Sequence, residues 1–424
     1  MKILLMTQYY SPEGGSCAAH MAEMAEYLAM KGHNVTVVTG FPNYPNGKVY
    51  TGYRRRFLQR EKINDVIVIR TFVFVTTERH SFGPRMANYL SFMLTAIWGG
   101  LKSGRHELIY FYSPPLFLGV TASLLGLVWK VPVIMELNDL WPRAPISLGV
   151  IKNRIFIKVA EFLEAFIYKH TSKIFSYSKR MRQEILKTGI SENKVEIHNL
   201  WIDSETFKPV SKEEAQQIRK EFGLNGKFVV MYTGLVGMAQ GLDTLVDSAG
   251  LLKMRDIHNI IIAIVGGGPE RDNLIARAKK KELDNILFVD QQPRNRMASF
   301  MSAADILVSH LRGAPHRVGT IPAKILSYMA AGKPVLVGAE GEAADLIKQY
   351  NCGIAVLPDD SASMSEAIIC LSETSEQRLR EMSQYGQAAV KDIYEKKKVL
   401  ALLERRLINL VTEIRMPRNI VVSS

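Results

Sequence analysis

Short apolar runs alternate with longer stretches of helical periodicity from the first residue onward. Ile3–Met6 is an unbroken apolar run, the pattern of a strand buried on both faces. A Pro/Gly loop follows, and Ala18–Met30 then repeats apolar residues at helical spacing. Gly32-His33 turns the chain into Val35–Thr39, the next predicted strand. Val66–Arg70, Leu108–Tyr112, Val131–Met135 and Lys173–Ser176 extend the series. A second series opens at Phe228–Tyr232 and runs through Ile260–Val265, Ile286–Val289, Ile306–Ser309 and Val335–Val337. Strands alternating with helices predict an α/β architecture with a doubly wound parallel sheet, and two such series predict two domains. Between them lie Val195–Asp203 and Phe207-Lys208-Pro209, where we place the boundary. The stretch after Gln384 is helical and rich in Lys and Arg.

Leu116 to Met135 is the most apolar region, but Lys130 and Pro132 interrupt it, so a helix followed by a strand is expected rather than a membrane span. The apolar start is too short for a signal peptide. A chain of 424 residues is long for one core and fits two domains. Its 47% hydrophobic and 22% charged residues are ordinary for a globular protein. The net charge of +13 is not, and it calls for an anionic partner. The basic residues form no aromatic-interleaved nucleic-acid module, so no nucleic acid is expected. A phosphorylated substrate and an anionic membrane remain. Cys17, Cys352 and Cys370 are odd in number and lack C-x-x-C spacing, so neither zinc nor a disulfide framework is indicated and a reducing cytoplasm fits.

Candidate chemistry sits at the strand ends. Thr320-Ile321-Pro322-Ala323-Lys324 leads into a helix that stops at Gly332, before Lys333-Pro334-Val335 restarts as a strand. Pro322 suits a helix start and Gly332 a helix stop. A helix start presents free N–H groups and a positive dipole end, and Lys324 adds a full charge there, which suits a phosphate or diphosphate. Gly14-Gly15 stand between the first strand and the first helix, as a close approach to a ligand or as a plain tight turn. The G-x-G-x-x-G spacing of a dinucleotide site is absent. Asn138 and Asp139 follow an apolar strand, at the end where open α/β sheets bind ligands. No flanked DxD, H-x-x-H or carboxylate cluster is visible, so no metal or other cofactor is predicted.

Pro322-Ala323-Lys324 followed by Tyr328-Met329-Ala330-Ala331-Gly332-Lys333-Pro334-Val335 resembles the donor-binding helix of family 4 glycosyltransferases. Tyr9-Tyr10-Ser11-Pro12-Glu13-Gly14-Gly15, Thr39-Gly40-Phe41-Pro42-Asn43-Tyr44-Pro45-Asn46-Gly47 and Tyr50-Thr51-Gly52-Tyr53-Arg54 match a narrower group. They resemble the N-acetyl-L-fucosamine transferase-like and fucosyltransferase-like enzymes of bacterial O-antigen, capsule and colanic acid synthesis. The resemblance covers essentially the whole chain and implies the GT-B fold, two Rossmann-like doubly wound domains facing across a cleft. It implies an acceptor-binding domain over residues 1–198 and a linker over 199–210. A donor-binding domain would cover 211–384, and helices over 385–424 would cross back to the first domain.

The same resemblance implies a retaining transfer from a nucleoside-diphosphate sugar, UDP-linked, to a polyprenyl-diphosphate-linked sugar on the cytoplasmic face of a bacterial inner membrane. Gly14, Gly15, Gln240, Arg317, Thr320, Ile321 and Lys324 would hold the donor phosphates and sugar. Gly266, Gly268, Val289, Gln291 and Ser327 would hold the nucleoside. Asp139, with Asn138, would orient the acceptor hydroxyl or steady charge on the sugar; capping of the next turn is the other reading of Asp139. The chain departs from the family where Arg and Lys on the donor phosphates are replaced by Leu235 and Gln240, and a glutamate pair by Gly319 and Ser327. Lys324 and Arg317 or Arg312 then carry more of the countercharge. A nucleotide-sugar 2-epimerase and a non-catalytic sugar-nucleotide-binding member of a polysaccharide assembly complex are the alternatives. Arg54, Arg55, Arg56, Arg60 and Lys62, interleaved with Tyr53, Phe57 and Leu58, read as a basic loop that docks on anionic lipid, or as a solvated face.

Overall fold

The computed structural model describes all residues except 45, 54–55, 78–81, 144–145, 147–150, 152, 315–318 and 416–424. The chain forms two compact units, Met1–His198 with the residues from Leu400 onward, and Asn199–Val399. The final helix, Lys396–Arg415, starts in the second unit and is completed in the first, so residues 385–399 belong to the second. Within the first unit its Glu404 accepts from the Tyr27 hydroxyl at 3.3 Å and meets His33 Nε2 at 3.0 Å. The incoming and outgoing segments of the second unit are tied side by side: Ile202 N–H donates to the Tyr394 carbonyl, and Lys396 N–H to the Ile202 carbonyl. Lys396 and Asp203 add an ion pair at 2.5 Å.

The first unit holds β1 (Lys2–Met6), β2 (Asn34–Gly40), β3 (Leu58–Ile63), β4 (Val66–Thr71), β5 (Leu108–Ser113), β6 (Val133–Leu137), β7 (Lys173–Ser176) and β8 (Val195–Ile197). Their order is β3-β4-β2-β1-β5-β6-β7-β8, and only the β3–β4 pair is antiparallel. Every residue of β5 and β6 is buried, as a central parallel strand covered on both faces requires. Leu4, Val38, Ile109, Phe111 and Met135 point to one face, where helices Phe82–Ser103, Leu118–Trp129 and Arg154–His170 cover them. The chain direction across the sheet reverses between β1 and β5, which opens a crevice at the carboxyl ends of these strands.

The second unit holds β9 (Phe228–Thr233), β10 (Ile260–Val265), β11 (Ile286–Val289), β12 (Ile306–His310), β13 (Val335–Gly338) and β14 (Gly353–Val356). The order is β11-β10-β9-β12-β13-β14, all parallel, with the reversal between β9 and β12. Alternation sorts the strand side chains into two cores. Val229, Met231 and Ala263 pack with Ile325 and Met329 on one face, and Val230, Tyr232 and Ile262 with Leu245 and Ile368 on the other.

Two expectations are corrected. The strand expected at Val131–Met135 is Val133–Leu137, because Lys130 takes a left-handed conformation (φ 55°) and the Val131 N–H closes the preceding helix on Gly126. The basic loop contains β3, an edge strand whose alternating charges hid it and also protect it from pairing. Leu58 belongs to that strand and packs against the core, so it is not free to enter lipid; Arg56 and Phe57 are exposed. Lys62 pairs with Asp65 at 2.7 Å, while Arg54 and Arg55 lie outside the described residues.

Arg70, at the end of β4, is fully buried and organises the loops above the first sheet. It donates to the Ser11 carbonyl and to Glu61 at 2.5 Å each, and to the Gly40 carbonyl at 3.3 Å, with the Tyr53 ring 4.8 Å away. Arg70→Met keeps the volume and removes the charge, stranding those acceptors. We expect it to lower the unfolding free energy by about 3 kcal/mol. The check is the shift of the urea midpoint; a midpoint matching wild type rules out the clamp.

Candidate active site

The second-unit site is built on the reversal between β9 and β12. β9 ends at Thr233, where the Tyr328 hydroxyl accepts from the Thr233 N–H at 2.9 Å and donates to its carbonyl at 3.1 Å. That pins helix Ala323–Ala330 to the strand end and sets Lys324 beside Gly234. The Lys324 ammonium lies 3.7 Å from the centre of the Tyr232 ring and bonds its hydroxyl. Loss of solvent alone pulls its pKa from the ordinary 10.5 down to about 7, and no described carboxylate offsets the shift. A cation so placed favours whatever anion reaches it.

The turn after β10 passes beneath the loop after β9. Gly234 N–H donates to the Val265 carbonyl and Val236 N–H to the Gly267 carbonyl, each at 2.9 Å. Gly266 (φ 154°) and Gly268 (φ 153°) are required by this crossing. A Cβ on either would stand 1.9 Å from the Gly234 oxygen or 2.2 Å from the Val236 oxygen. Gln291 reaches the same turn, 3.4 Å from where a Gly267 Cβ would stand. Gln291, Gly266–Gly268, Gly234 and Lys324 therefore form one continuous rim along the strand ends.

Other predicted residues are placed differently. Val289 is buried in the core, so only its backbone faces the rim, and its carbonyl already accepts from Gly266 N–H. Ile321 packs its side chain on the core; Thr320 and Ser327 are half-buried. Gln240 lies in a short 3₁₀ turn, its side-chain oxygen buried without a hydrogen bond among the described residues. Arg312 is engaged by Asp243 at 2.6 Å and Asp359 at 3.7 Å, so it is not a free phosphate ligand. Arg317 lies outside the described residues.

In the first unit, exposed Gly14 and Gly15 precede helix Ser16–Met30. Gly15 (φ 108°) faces Tyr44 closely enough that a Cβ would meet its ring at 3.3 Å. Buried Glu13 explains why the two loop motifs occur together. Its carboxylate accepts from the N–H groups of Asn43 at 2.7 Å, Tyr44 at 2.9 Å and Tyr10 at 3.2 Å. Half-buried Asn138 and Asp139 follow β6, and Asn138 N–H donates to the Ser113 carbonyl.

Beneath Asn138 lies a group that sequence reading missed. Fully buried Glu136 meets His20 Nε2 at 2.5 Å and accepts from the Tyr110 hydroxyl at 2.5 Å and from Tyr177. Burial alone would raise its pKa, but His20, His198 and Tyr110 outweigh burial and hold it at about 2. Its signal was a lone charge at the end of an apolar strand. His310 was missed as well: its Nδ1 bonds the Gln240 carbonyl and its Nε2 accepts from Asp359 N–H, tying two rim loops together. Burial pushes the Cys17 thiol up to about 12, which argues against a nucleophile there.

Residues 15–201 match the glycosyl transferase 4-like domain family and residues 214–389 the glycosyl transferases group 1 family. The chain carries the two domains of a glycosyltransferase. WcaI of Escherichia coli, assigned as a colanic acid biosynthesis glycosyl transferase, is 27% identical over 84% of this chain and 88% of its own. An uncharacterized glycosyltransferase of Methanocaldococcus jannaschii is 23% identical over 93% of this chain and 94% of its own. The crystal structure of Anabaena HepE in complex with UDP superimposes with a TM-score of 0.73 at 16% identity, over 96% of this chain and 100% of that one. Sucrose-phosphate synthase from Thermosynechococcus elongatus reaches 0.75 at 17% identity, over 97% and 100%. The fold is GT-B. In this glycosyltransferase, then, Lys324 and its rim belong to the group 1 domain, and the Glu136 group to the 4-like domain.

Two outcomes follow. The Lys324 ammonium is half neutral near pH 7 and regains its proton beside an anion, so inorganic diphosphate binding at pH 8 should take up a proton. Calorimetry in buffers of different ionisation enthalpy measures it, and Lys324→Met should abolish the uptake. The second concerns Glu136. As pH falls, the unfolded carboxyl protonates near 4.5 and the folded one only near 2. Its contribution of about 3 kcal/mol is complete above the first value and is lost on descending toward the second. Glu136→Gln should therefore lose less stability than wild type over that window; parallel acid-denaturation curves would contradict the burial and pairing.

Proposed function

We propose that this protein is a retaining glycosyltransferase that takes a sugar from a UDP-linked donor. The acceptor is a polyprenyl-diphosphate-linked sugar at the cytoplasmic face of a bacterial inner membrane. The transferred sugar is N-acetyl-L-fucosamine or a related deoxy or N-acetylated sugar, and the product belongs to a surface polysaccharide. One observation carries the reading: a desolvated ammonium, without a carboxylate among the described residues, beside the glycine rim at the strand reversal of the group 1 domain. WcaI and the UDP-bound HepE supply the polysaccharide and UDP context, each for its own protein.

In this mechanism Lys324 and the N-terminus of its helix neutralise the β-phosphate as the sugar–oxygen bond breaks. A leaving-phosphate oxygen takes the acceptor hydroxyl proton while that hydroxyl oxygen bonds the anomeric carbon on the same face. Asp139, with Asn138, positions the acceptor, Gly14-Gly15 let the donor approach the backbone, and the Gly266–Gly268 rim with Gln291 and Ser327 holds the nucleoside. Phosphate neutralisation by a lysine and helix N–H groups assigns no role to a metal, so turnover should survive chelation; loss that magnesium restores would overturn that assignment.

Lys324→Ala should lower kcat/KM by about ten- to a hundredfold, as expected for losing a charged hydrogen bond. The melting temperature should stay level or rise, because a desolvated charge is removed. Nucleotide sugars screened by thermal shift identify the donor first. Unaltered kcat/KM in the variant would remove Lys324 from the reaction, and donor binding without transfer to any lipid-linked sugar would remove the transferase reading.

A further inference from the structure

Helices Phe82–Ser103 and Leu118–Trp129 are apolar on both sides, a pattern water does not explain. Their inner faces, with Phe92, Ala96, Ala122 and Leu125, pack on the first sheet. Their outer faces are apolar as well. Leu90, Leu94, Trp98 and Leu101 recur every three or four residues along the first helix, with Leu94 60% and Trp98 48% exposed. Leu124, Leu127 and Val128 do the same on the second, Val128 being 70% exposed. Helix Arg154–His170 packs beside the second helix on the same side of the sheet and adds Ile155, Val159 and Phe162. Phe82 joins the first of these helices to the third through Phe156, with ring centres 5.3 Å apart. Exposed Phe57 stands 6.4 Å from Trp98 and extends the same face.

We propose that this three-helix face is a docking surface for an anionic bilayer, entered to the depth of its side chains. No helix among the described residues is long and apolar enough to cross a membrane, so the contact is interfacial. Charge selects lipid over a second copy. Between residues 82 and 135 the only carboxylate is Glu107, which accepts from the Lys2 backbone N–H, and the third helix adds exposed Glu161 and buried Glu164. Exposed Lys102, Arg105, Lys130, Arg154 and Lys158 carry the opposite sign on the same helices or at their ends. The Lys102 ammonium lies 5.5 Å from the Trp98 ring centre, an apolar body with a cationic tip that suits the headgroup boundary. A second copy of this basic face would meet it with like charge. The surface differs from the basic loop alone: it needs neither Arg54 nor Arg55, and its apolar area lies on helices.

The test uses the full chain with vesicles of phosphatidylcholine alone or mixed with phosphatidylglycerol. It needs neither donor nor acceptor, so it stands apart from the transferase reading. Trp129, Trp141 and Trp201 are buried, which leaves Trp98 as the exposed reporter among the chain's tryptophans. The mixed vesicles should shift tryptophan emission to the blue and carry the protein in flotation, and added salt should weaken both. Leu94→Gln with Trp98→Gln should lower vesicle affinity about tenfold or more with an unchanged melting curve, since both residues are exposed. Lys102→Glu with Arg105→Glu and Lys130→Glu should do the same only for anionic vesicles. Wild-type flotation by the glutamine variant overturns the proposal. So does a wild-type dimer that the glutamine variant splits while vesicles bind neither.

Discussion

A half-buried, partly desolvated ammonium, with no carboxylate beside it among the described residues, is the constraint on which the second unit turns. Such a group is unfavourable in an unliganded protein. It persists because its surroundings are fixed by other means. Tyr328 clamps the helix to the end of β9, and the Tyr232 ring supplies a π face in place of a counter-ion. The pKa near 7 is the physical record of that arrangement. An anion at the strand reversal would remove the penalty, so the lysine stands where the architecture of the parallel sheet already favours a negative charge.

The first unit solves a different problem. Its strand ends carry loops that helix Phe82–Ser103 holds in part, through Asn88 on Gln8 and Phe74, and buried charge holds the rest. Arg70 gathers the carbonyls of Ser11 and Gly40, while Glu13 gathers the N–H groups of Tyr10, Asn43 and Tyr44. The Arg70 guanidinium only donates and the Glu13 carboxyl oxygens accept, so between them they satisfy both kinds of backbone group that a buried loop leaves open. Glu136 does the same kind of work a layer lower, with His20 and two tyrosines closing its hydrogen bonds beneath Asn138.

The outer surface follows a third rule. A helix covering a sheet needs one apolar side, and Phe82–Ser103, Leu118–Trp129 and Arg154–His170 expose apolar residues on a second. The second side serves no packing within the unit. Lys102, Arg105, Lys130, Arg154 and Lys158, on the same helices or at their ends, have the sign that anionic headgroups attract.

What the sequence determined by itself was the architecture and the cation. Continuous apolar runs alternating with helical periods favour a parallel sheet covered on both faces, and two such series make two units. Pro322, Lys324 and Gly332 set a charge at a helix start through local rules alone. Tertiary structure decided what depended on partners distant in the chain. Glu61 and Lys62 disguised β3 because an edge strand tolerates charge, and only its pairing with β4 shows it as a strand. Arg312 read as a phosphate ligand until Asp243, 69 residues away, claimed it. Gly266 and Gly268 read as ligand glycines, yet the crossing of Gly234 and Val236 already requires them. Glu136 could not be found from its neighbours in sequence, because His20 and Tyr177 come from 116 and 41 residues away. Local propensity and periodicity travel with the chain, whereas the pairing of buried charges exists only once the sheet has brought their strands together.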